Sequence, residues 1–274
     1  MTSFNIPGSS VVKITAKTAI AKRKNETGIV SFFGMFAFLI MNLIAAVIAS
    51  NDGRIFEILS YAVTILFAVF VLAPLFFGII RFFWRMTDGV EDEISSVFYY
   101  FGSRHRYFRI LKLNIVMFLR IIIPLFICLL PYITVGLISG SQIYALFGFD
   151  IPLWAPNLVL IKNFLYIIGV AAALGYISRY YLVPILAVAN EELLLLEAVH
   201  LSTMVAKRSI SSFLSLVVSL LPWIILTVLV IPAFYTLSII IVCYVVHCRF
   251  AINNYNILID NFENDMSGYY YEEE

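Results

Sequence analysis

Four arginines are the residues whose type and position could serve binding chemistry. Arg81, Arg85 and Arg179 lie near the ends of long apolar stretches, and Arg120 lies within one. A guanidinium group stays charged at physiological pH and presents five donors in a planar fork that matches a phosphate. These arginines are therefore candidate contacts for an anion or a lipid headgroup. The alternative is that they only orient the membrane spans, with Arg120 snorkelling to the bilayer boundary.

Other reactive side chains do not form a known catalytic pattern. Cys243 and His247 are four residues apart, a spacing that places both on one helical face, but no further metal ligand accompanies them. His105 lies between arginines, and His200 has no nucleophile motif beside it. The sequence contains no glycine-rich phosphate loop and no His-Glu-x-x-His motif. We therefore expect a protein that is not an enzyme and that has no cofactor and no metal site.

The elements that carry these residues follow from composition. The chain has 274 residues, of which 62% are hydrophobic and only 13% charged, with a mean hydropathy of +0.97; a soluble protein carries about 25% charged residues. The apolar residues form blocks long enough to cross a bilayer core of roughly 30 Å, and backbone groups in lipid must be paired within a helix. The predicted fold is all-α: a polytopic membrane helical bundle of about six transmembrane helices with two cytoplasmic amphipathic helices.

The apolar blocks place the spans. The last block, residues 213–248, would be about 54 Å long as one helix, so we divide it into two short spans near Ile231-Pro232; if it crossed only once, the C-terminus would lie on the other side of the membrane. The other predicted spans are 29–50, 59–80, 110–139 and 158–179. The predicted domains are a basic cytoplasmic N-terminal segment (1–28), a six-span membrane domain (29–250) and a polar, disordered cytoplasmic tail (251–274).

Basic residues predict the orientation. Of the 18 Lys and Arg residues, 16 fall on the side that holds the N-terminus, and only Arg54 and Lys162 fall on the other. By the positive-inside rule both termini are cytoplasmic in a multi-pass protein of the cell membrane. The expected partners are the lipid bilayer, anionic headgroups and other membrane proteins, but no nucleic acid. Residues 9–24 predict either a basic amphipathic helix on the leaflet or a solvated flank.

Two hairpins of the chain echo one another, over residues 59–139 and 158–230. In each, a glycine precedes an arginine, as in Gly78 with Arg81 and Gly175 with Arg179, and an acidic cluster then opens a cytoplasmic helix that basic residues close. Acid at the start and base at the end of a helix suit its dipole, with Thr87 or Asp88 as the first N-cap. Asn190 is the second predicted N-cap. The pattern indicates a parallel repeat of the kind known in transporters, although helix ends at a membrane also attract such residues independently.

Apolar side chains on the two predicted cytoplasmic helices form a candidate docking surface. Its members are Phe98, Phe101, Leu194 and Leu201. The predicted spans contain no Asp or Glu, the groups that proton- or sodium-coupled transporters commonly use. We therefore expect a non-catalytic scaffold or accessory component of an envelope complex. The alternative is a transporter or lipid-handling protein that uses the interface between the two hairpin repeats.

Several stretches carry a family resemblance. They are residues 12–24, 78–85, 98–101 and 201–204, the last followed by Trp223. In these stretches the chain resembles the bacterial integral membrane proteins of domain-of-unknown-function family 975, and it is distantly similar to the membrane domain of glycerophosphodiester phosphodiesterases. The resemblance covers most of the chain. It implies an integral membrane fold, and it supplies no activity.

Overall fold

The computed structural model describes the backbone of residues 6–51, 53–139, 158–191, 193–227 and 230–270. Every regular element in these ranges is helical. Within the same ranges, six helical stretches are long and apolar enough to cross a membrane. They are Lys24–Ala49, Arg54–Thr87, Arg104–Leu137, Leu160–Ala189, Leu195–Leu226 and Phe234–Asn256. The predicted all-α polytopic bundle is thereby confirmed, and the protein is a multi-pass membrane protein.

The described helices follow one another in chain order. The first half of the chain contains α1 (Ser9–Lys22), α2 (Lys24–Ala49), α3 (Arg54–Phe67), a π-helical turn (Ala68–Leu72), α4 (Ala73–Thr87), a 3-10 helix (Ile94–Gly102) and α5 (Arg104–Ser139). The second half contains α6 (Leu158–Ile177), a 3-10 turn (Ser178–Tyr180), α7 (Val183–Ala189), α8 (Leu195–Leu226) and α9 (Val230–Tyr270). Because α3, the π-helical turn and α4 are continuous, they form a single span.

The chain divides into two compact units. The larger consists of residues 1–114 and 180–274, and the smaller of residues 115–179. In the smaller unit, α6 lies against the second part of α5 at Gly169, where an added Cβ would come within 2.6 Å of the Cys128 carbonyl oxygen. The rings of Tyr132 and Tyr166 extend this contact, with centroids 5.1 Å apart. The small residues of α6 therefore permit close helix packing, as expected for membrane helices.

Helix α9 is the centre of the larger unit. Its residues from Ile239 to Ala251 are largely buried, and α1, α2, α4 and α8 all pack against it. The Ser31 and Ser238 hydroxyls join α2 to α9 at 2.6 Å, and Ser238 also donates to the Thr27 carbonyl. By contrast, α2 and α3 leave large apolar side chains exposed, including Ile55 at 78%. Exposed apolar faces of this kind are what lipid contact requires.

After α4 the chain turns back and runs along that helix as the 3-10 helix. Phe77 meets Tyr100 with ring centroids 6.4 Å apart, and Gly78 lies directly against the backbone of Val97. A Cβ on Gly78 would be 1.8 Å from the Val97 carbonyl oxygen, so only glycine fits there. The first predicted cytoplasmic segment is thus a packed 3-10 helix beginning after Glu93, where we predicted a helix capped by Thr87 or Asp88.

The second predicted cytoplasmic helix is the beginning of α8. That helix continues into the apolar span without interruption, so Lys207 and Arg208 lie in its middle and close no separate helix. Its N-cap is Leu194 and not the predicted Asn190. The reason is local: the Leu194 backbone N–H donates to the Glu197 carboxylate at 3.2 Å, which satisfies one of the free donors at the helix start.

Two other boundaries differ from the sequence predictions. Residues 213–248 do form two helices, but α8 ends at Leu226 and α9 begins at Val230, so Pro232 belongs to the first turn of α9. Proline is tolerated there because its missing N–H has no intrahelical partner. Helix α9 also continues to Tyr270, where we predicted a disordered tail from residue 251. Ala251 is fully buried, so the packed part of α9 includes the first residue of the predicted tail. Residues 140–157 and 271–274 lie outside the described residues.

The N-terminal segment forms α1, whose apolar face contacts protein. Val12, Ala16 and Ile20 are buried against α8 and α9. The Lys13 ammonium donates to the Ser219 carbonyl at 2.6 Å. The predicted helix therefore exists, and Val12, Ala16 and Ile20 pack on the bundle, whereas Ile14 is 63% exposed.

Candidate functional site

Arg81 is enclosed by protein groups at the end of α4. Its Nη1 lies 3.5 Å from Asp92 Oδ2 and its Nε lies 3.7 Å from Glu191 Oε1. Arg81 and Asp92 are only 12% and 14% exposed, so their contact is shielded from water, whereas Glu191 is 36% exposed. Arg81 thereby links the segment after α4 to the segment before α8. Its charge is already balanced by two carboxylates.

Asp92 brings the two predicted arginines of the larger unit together. Arg85 Nε lies 3.3 Å from the same Asp92 carboxylate oxygen that Arg81 contacts. Arg23, at the junction of α1 and α2, donates to the Asp92 backbone carbonyl at 2.6 Å and also forms an ion pair with Glu26. Three arginines from two parts of the chain therefore converge on one aspartate.

Tyr99 completes this cluster from the 3-10 helix. Its ring lies between two guanidinium groups, with Arg81 Cζ 3.6 Å and Arg106 Cζ 4.1 Å from the ring centroid. Its hydroxyl donates to Glu191 Oε2 at 3.0 Å. Burial and the hydrogen bond to Glu191 raise the pKa of Tyr99, so the phenol stays neutral and remains a donor. We call Arg81, Asp92, Tyr99 and Glu191 the arginine cluster.

Arg249 on α9 forms a second junction. Its Nη1 pairs with Asp88 at 2.5 Å, its Nη2 donates to the Trp84 carbonyl at 2.9 Å, and its guanidinium lies 4.3 Å from the Trp84 ring centroid. The sequence reasoning did not select Arg249, Arg23 or Glu191 as site residues. The acidic run beginning at Glu91 was the available signal, because buried or half-buried carboxylates near a membrane need basic partners.

The remaining predicted arginines belong to the smaller unit. Arg120 is half-buried on α5. Arg179 is exposed, with its guanidinium 5.6 Å from the Tyr176 ring centroid. The predicted contact of these two arginines with an anion or a lipid headgroup stays a prediction. The two echoed glycines also differ in surroundings, since Gly78 is in tight contact and an added Cβ at Gly175 would meet nothing within 4 Å.

The predicted apolar docking residues are accessible. Phe98 and Phe101 on the 3-10 helix are 45% and 41% exposed, and Leu194 is 67% exposed; Leu201 is partly covered. Phe98 contacts Phe33 of α2 with ring centroids 5.5 Å apart and Phe101 at 6.3 Å. The aromatic side chains are therefore supported on one side and open on the other.

A separate polar cluster is enclosed in the core. The Tyr181 hydroxyl lies 2.7 Å from Ser209 Oγ and 3.5 Å from His247 Nε2, and the Tyr244 hydroxyl donates to the Tyr181 carbonyl. The Phe213 ring stacks on Tyr181 with centroids 4.1 Å apart. His247 is thus engaged with Tyr181, and the cluster joins α8 and α9 to the segment before α7.

Comparison of the chain with protein-family models, with curated proteins and with solved structures gave no match. The contacts of the described residues are therefore the basis for assigning a function. In these contacts, Arg81 is paired with two carboxylates, and the exposed Phe98 packs on Phe33. Such contacts can fix the position of an exposed apolar surface.

Proposed function

We propose that this protein is a non-catalytic membrane scaffold or accessory component of an envelope complex, and that it holds a partner protein on a fixed apolar platform. The platform consists of Phe98, Phe101 and Leu194. The observation that carries the proposal is the link through Arg81. It joins the segment that bears Phe98 and Phe101 to the segment that bears Leu194.

The arginine cluster supports a fixed platform because its ion pair between Arg81 and Asp92 is shielded from water. Arg81 and Asp92 are 12% and 14% exposed, and the Tyr99 hydroxyl adds a hydrogen bond to Glu191. Ion pairs in such a setting depend strongly on both partners, since removal of one leaves an uncompensated charge. The two polar segments therefore keep their arrangement without a bound partner, which lowers the entropic cost of docking.

The chemistry of the platform favours a protein partner. Aromatic side chains are enriched at the centres of protein interfaces, where they fill pockets on the other chain. Phe98 and Phe101 lie on the 3-10 helix between two candidate spans. Exposed aromatic residues outside the spans lose contact with water when a partner covers them.

The basic residues support the location of this platform. Arg81, Arg85 and the basic start of α5 all lie at the same end of the larger unit as the arginine cluster. By the positive-inside rule this end faces the cytoplasm, in a multi-pass protein of the cell membrane. The resemblance to family 975 agrees with this location and adds no activity.

Site-specific photo-cross-linking in cells tests the proposal. A photoreactive amino acid is placed at Phe98, at Leu194 and, as the control, at Ile55, whose side chain is even more exposed, on α3. We expect one protein adduct of the same mass from Phe98 and Leu194, and none from Ile55. Adducts of unrelated masses, or lipid adducts alone at all three positions, would contradict the platform.

The alternative function is a transporter or lipid-handling protein that uses the interface between the hairpin repeats. Basic residues at the start of α5 line a groove together with apolar side chains, and this combination favours lipid handling. Reconstitution into vesicles with a fluorescent anionic lipid separates the two functions. Accelerated movement of that lipid between leaflets, with no protein adduct at Phe98, would favour the alternative.

A further inference from the structure

A groove opens between the start of α5 and the segment that leads into α8. It has a volume of about 720 Å³, and all of its lining residues belong to the larger unit. One wall carries Arg104, His105, Arg109 and Lys112. The rest of the lining is mostly apolar, formed by Phe108 and residues 193–195. The groove thus combines a basic wall with an apolar one.

Helical periodicity places the basic side chains together. His105, Arg109 and Lys112 are spaced i, i+4 and i+7, which puts them on one face of α5. Arg104 adds a fourth group, with its guanidinium 5.7 Å from the Phe108 ring centroid. Arg104, His105 and Lys112 are exposed, and within the described part of the chain none of the three forms an ion pair with a carboxylate.

The one acidic residue of the lining is already engaged. Glu191 accepts the Tyr99 hydroxyl through Oε2 and faces Arg81 through Oε1. It therefore contributes little charge toward the groove. The basic wall keeps a net positive potential that an anion can use.

Arg109 fixes the shape of the groove in the absence of a ligand. Its Nη2 donates to the carbonyl oxygens of Asn190 and Leu193, at 3.1 and 3.2 Å. These two bonds tie α5 to the opposite wall. A preformed site loses less conformational entropy when it binds a ligand.

We propose that this groove binds the phosphate headgroup of an anionic phospholipid. Arg104, His105 and Lys112 contact the phosphate, and Phe108 and Leu194 contact the apolar part of the same molecule. The inference goes beyond the proposed scaffold function. It shares Leu194 with the platform but does not depend on a partner protein.

Two features favour a lipid over a free phosphate as the source of this anion. The lining is largely apolar, which a small inorganic anion would not use. In addition, the α5 sequence becomes apolar directly after Asn114, so the groove lies within a turn or two of the expected bilayer boundary. Basic side chains at such a boundary are typical of anionic-lipid recognition. Arg81 and Arg85, by comparison, are already paired with Asp92.

Lipid titration followed by native mass spectrometry tests the inference on the full-length protein. The probe is phosphatidylglycerol, with phosphatidylcholine as the uncharged comparison. The test variant is Arg104→Gln with Lys112→Gln. The matched control is Lys207→Gln with Arg208→Gln, which removes the same charge from exposed positions on α8.

We expect the apparent affinity for phosphatidylglycerol to fall by about tenfold in the test variant and by less than about twofold in the control. Affinity for phosphatidylcholine should not change. Equal losses in the two variants would overturn the site, because they would show a general charge effect. Displacement of the lipid by millimolar inorganic phosphate would overturn the choice of a lipid.

Cross-linking separates this inference from the proposed function. The Arg104→Gln with Lys112→Gln variant should keep the protein adduct at Phe98, since neither residue contributes to the platform. Loss of lipid binding with the adduct retained supports the groove alone. If the wild-type protein does not prefer phosphatidylglycerol to phosphatidylcholine, the proposed lipid site is wrong whether or not the adduct forms.

Discussion

Arg81 on α4 contacts Glu191 in the segment before α8, with Arg81 Nε 3.7 Å from Glu191 Oε1. The contact joins two segments that the sequence presents as separate cytoplasmic helices. Tyr99 reinforces it by stacking on Arg81 and donating to Glu191. An arginine expected to contact lipid phosphate is therefore an internal connection between distant parts of the chain.

Arg81→Ala should destabilise the folded protein. The change leaves Asp92 with one partner fewer at 14% exposure and removes the guanidinium from the Tyr99 ring. We expect a loss of about 2–4 kcal/mol in the free energy of unfolding, smaller than for a fully buried pair because Glu191 is 36% exposed. Thermal unfolding in detergent measures it, with the exposed Arg208→Ala as the control. Equal unfolding midpoints for the two variants would show that Arg81 does not hold the segments together.

Gly78→Ala should be far more damaging than Gly175→Ala. The new methyl group at position 78 would overlap the Val97 carbonyl, so the 3-10 helix must separate from α4. We expect a cost of about 3 kcal/mol or more from this overpacking. The change at Gly175 meets open space and should cost less than about 1 kcal/mol or stabilise the helix. Limited proteolysis between α4 and α5 reports the separation, and comparable resistance of the two variants would contradict it.

Gly169→Val should separate α5 from α6 in the smaller unit. Its Cβ would lie 2.6 Å from the Cys128 carbonyl oxygen, on a backbone that cannot yield cheaply. A disulfide trap between Tyr132→Cys and Tyr166→Cys, whose native rings lie 5.1 Å apart, measures the contact. We expect rapid cross-linking in the protein with Gly169 and at least about fivefold slower cross-linking after the substitution. An unchanged rate would mean that the helices do not rely on glycine for their approach.

Tyr100→Phe should leave stability unchanged or raise it by up to about 1 kcal/mol. The Tyr100 hydroxyl is buried and has no hydrogen-bond partner among the described residues, so its removal ends a desolvation cost without breaking a bond. Tyr99→Phe, which deletes the hydroxyl bonded to Glu191, should instead cost about 1 kcal/mol. Chemical denaturation of the two variants in parallel checks the sign. A larger loss for Tyr100→Phe than for Tyr99→Phe would reverse the assignment.

The same tyrosines predict an alkaline limit to stability. Burial raises the pKa of Tyr100 well above its ordinary value of 10.0, and it also raises the pKa of Tyr99. Because the unfolded chain ionises first, both groups contribute stability that is complete below pH 10 and is lost as pH rises above it. Unfolding midpoints should therefore fall from about pH 10 upward. The fall should be shallower in Tyr100→Phe, and identical profiles would exclude Tyr100 as a cause.

The sequence predicted the class of fold well and the local structure of the polar segments poorly. The backbone groups of a long apolar block in lipid must be paired within a helix, so the six helices could be predicted from the sequence. The 3-10 helix was not, because its conformation depends on how Val97 packs against Gly78 and not on its own periodicity. The sequence predicted a separate helix closed by Lys207 and Arg208, whereas α8 continues through both residues, since charged residues in a packed helix need not mark its end.

The candidate site, like the fold, could be predicted from the sequence only in part. Phe98, Phe101 and Leu194 were chosen from the sequence as docking residues and are exposed, whereas Leu201, chosen with them, is partly covered. The pairing of Arg81 with Glu191 was not, since nothing in one sequence shows which acidic residue a distant arginine will meet. His105, Arg109 and Lys112 have a helical spacing in the sequence. Their clustering follows only once α5 is known to begin at Arg104.

Cross-linking in the Arg81→Ala background tests the central claim most directly. The photoreactive residue is placed at Phe98 or at Leu194, and Arg208→Ala is the background control. If the arginine cluster holds the platform, the shared adduct should fall to less than about a fifth in Arg81→Ala, with an equal loss at both positions, and it should persist in Arg208→Ala. An adduct of undiminished yield in Arg81→Ala, at a protein level equal to wild type, would contradict the account.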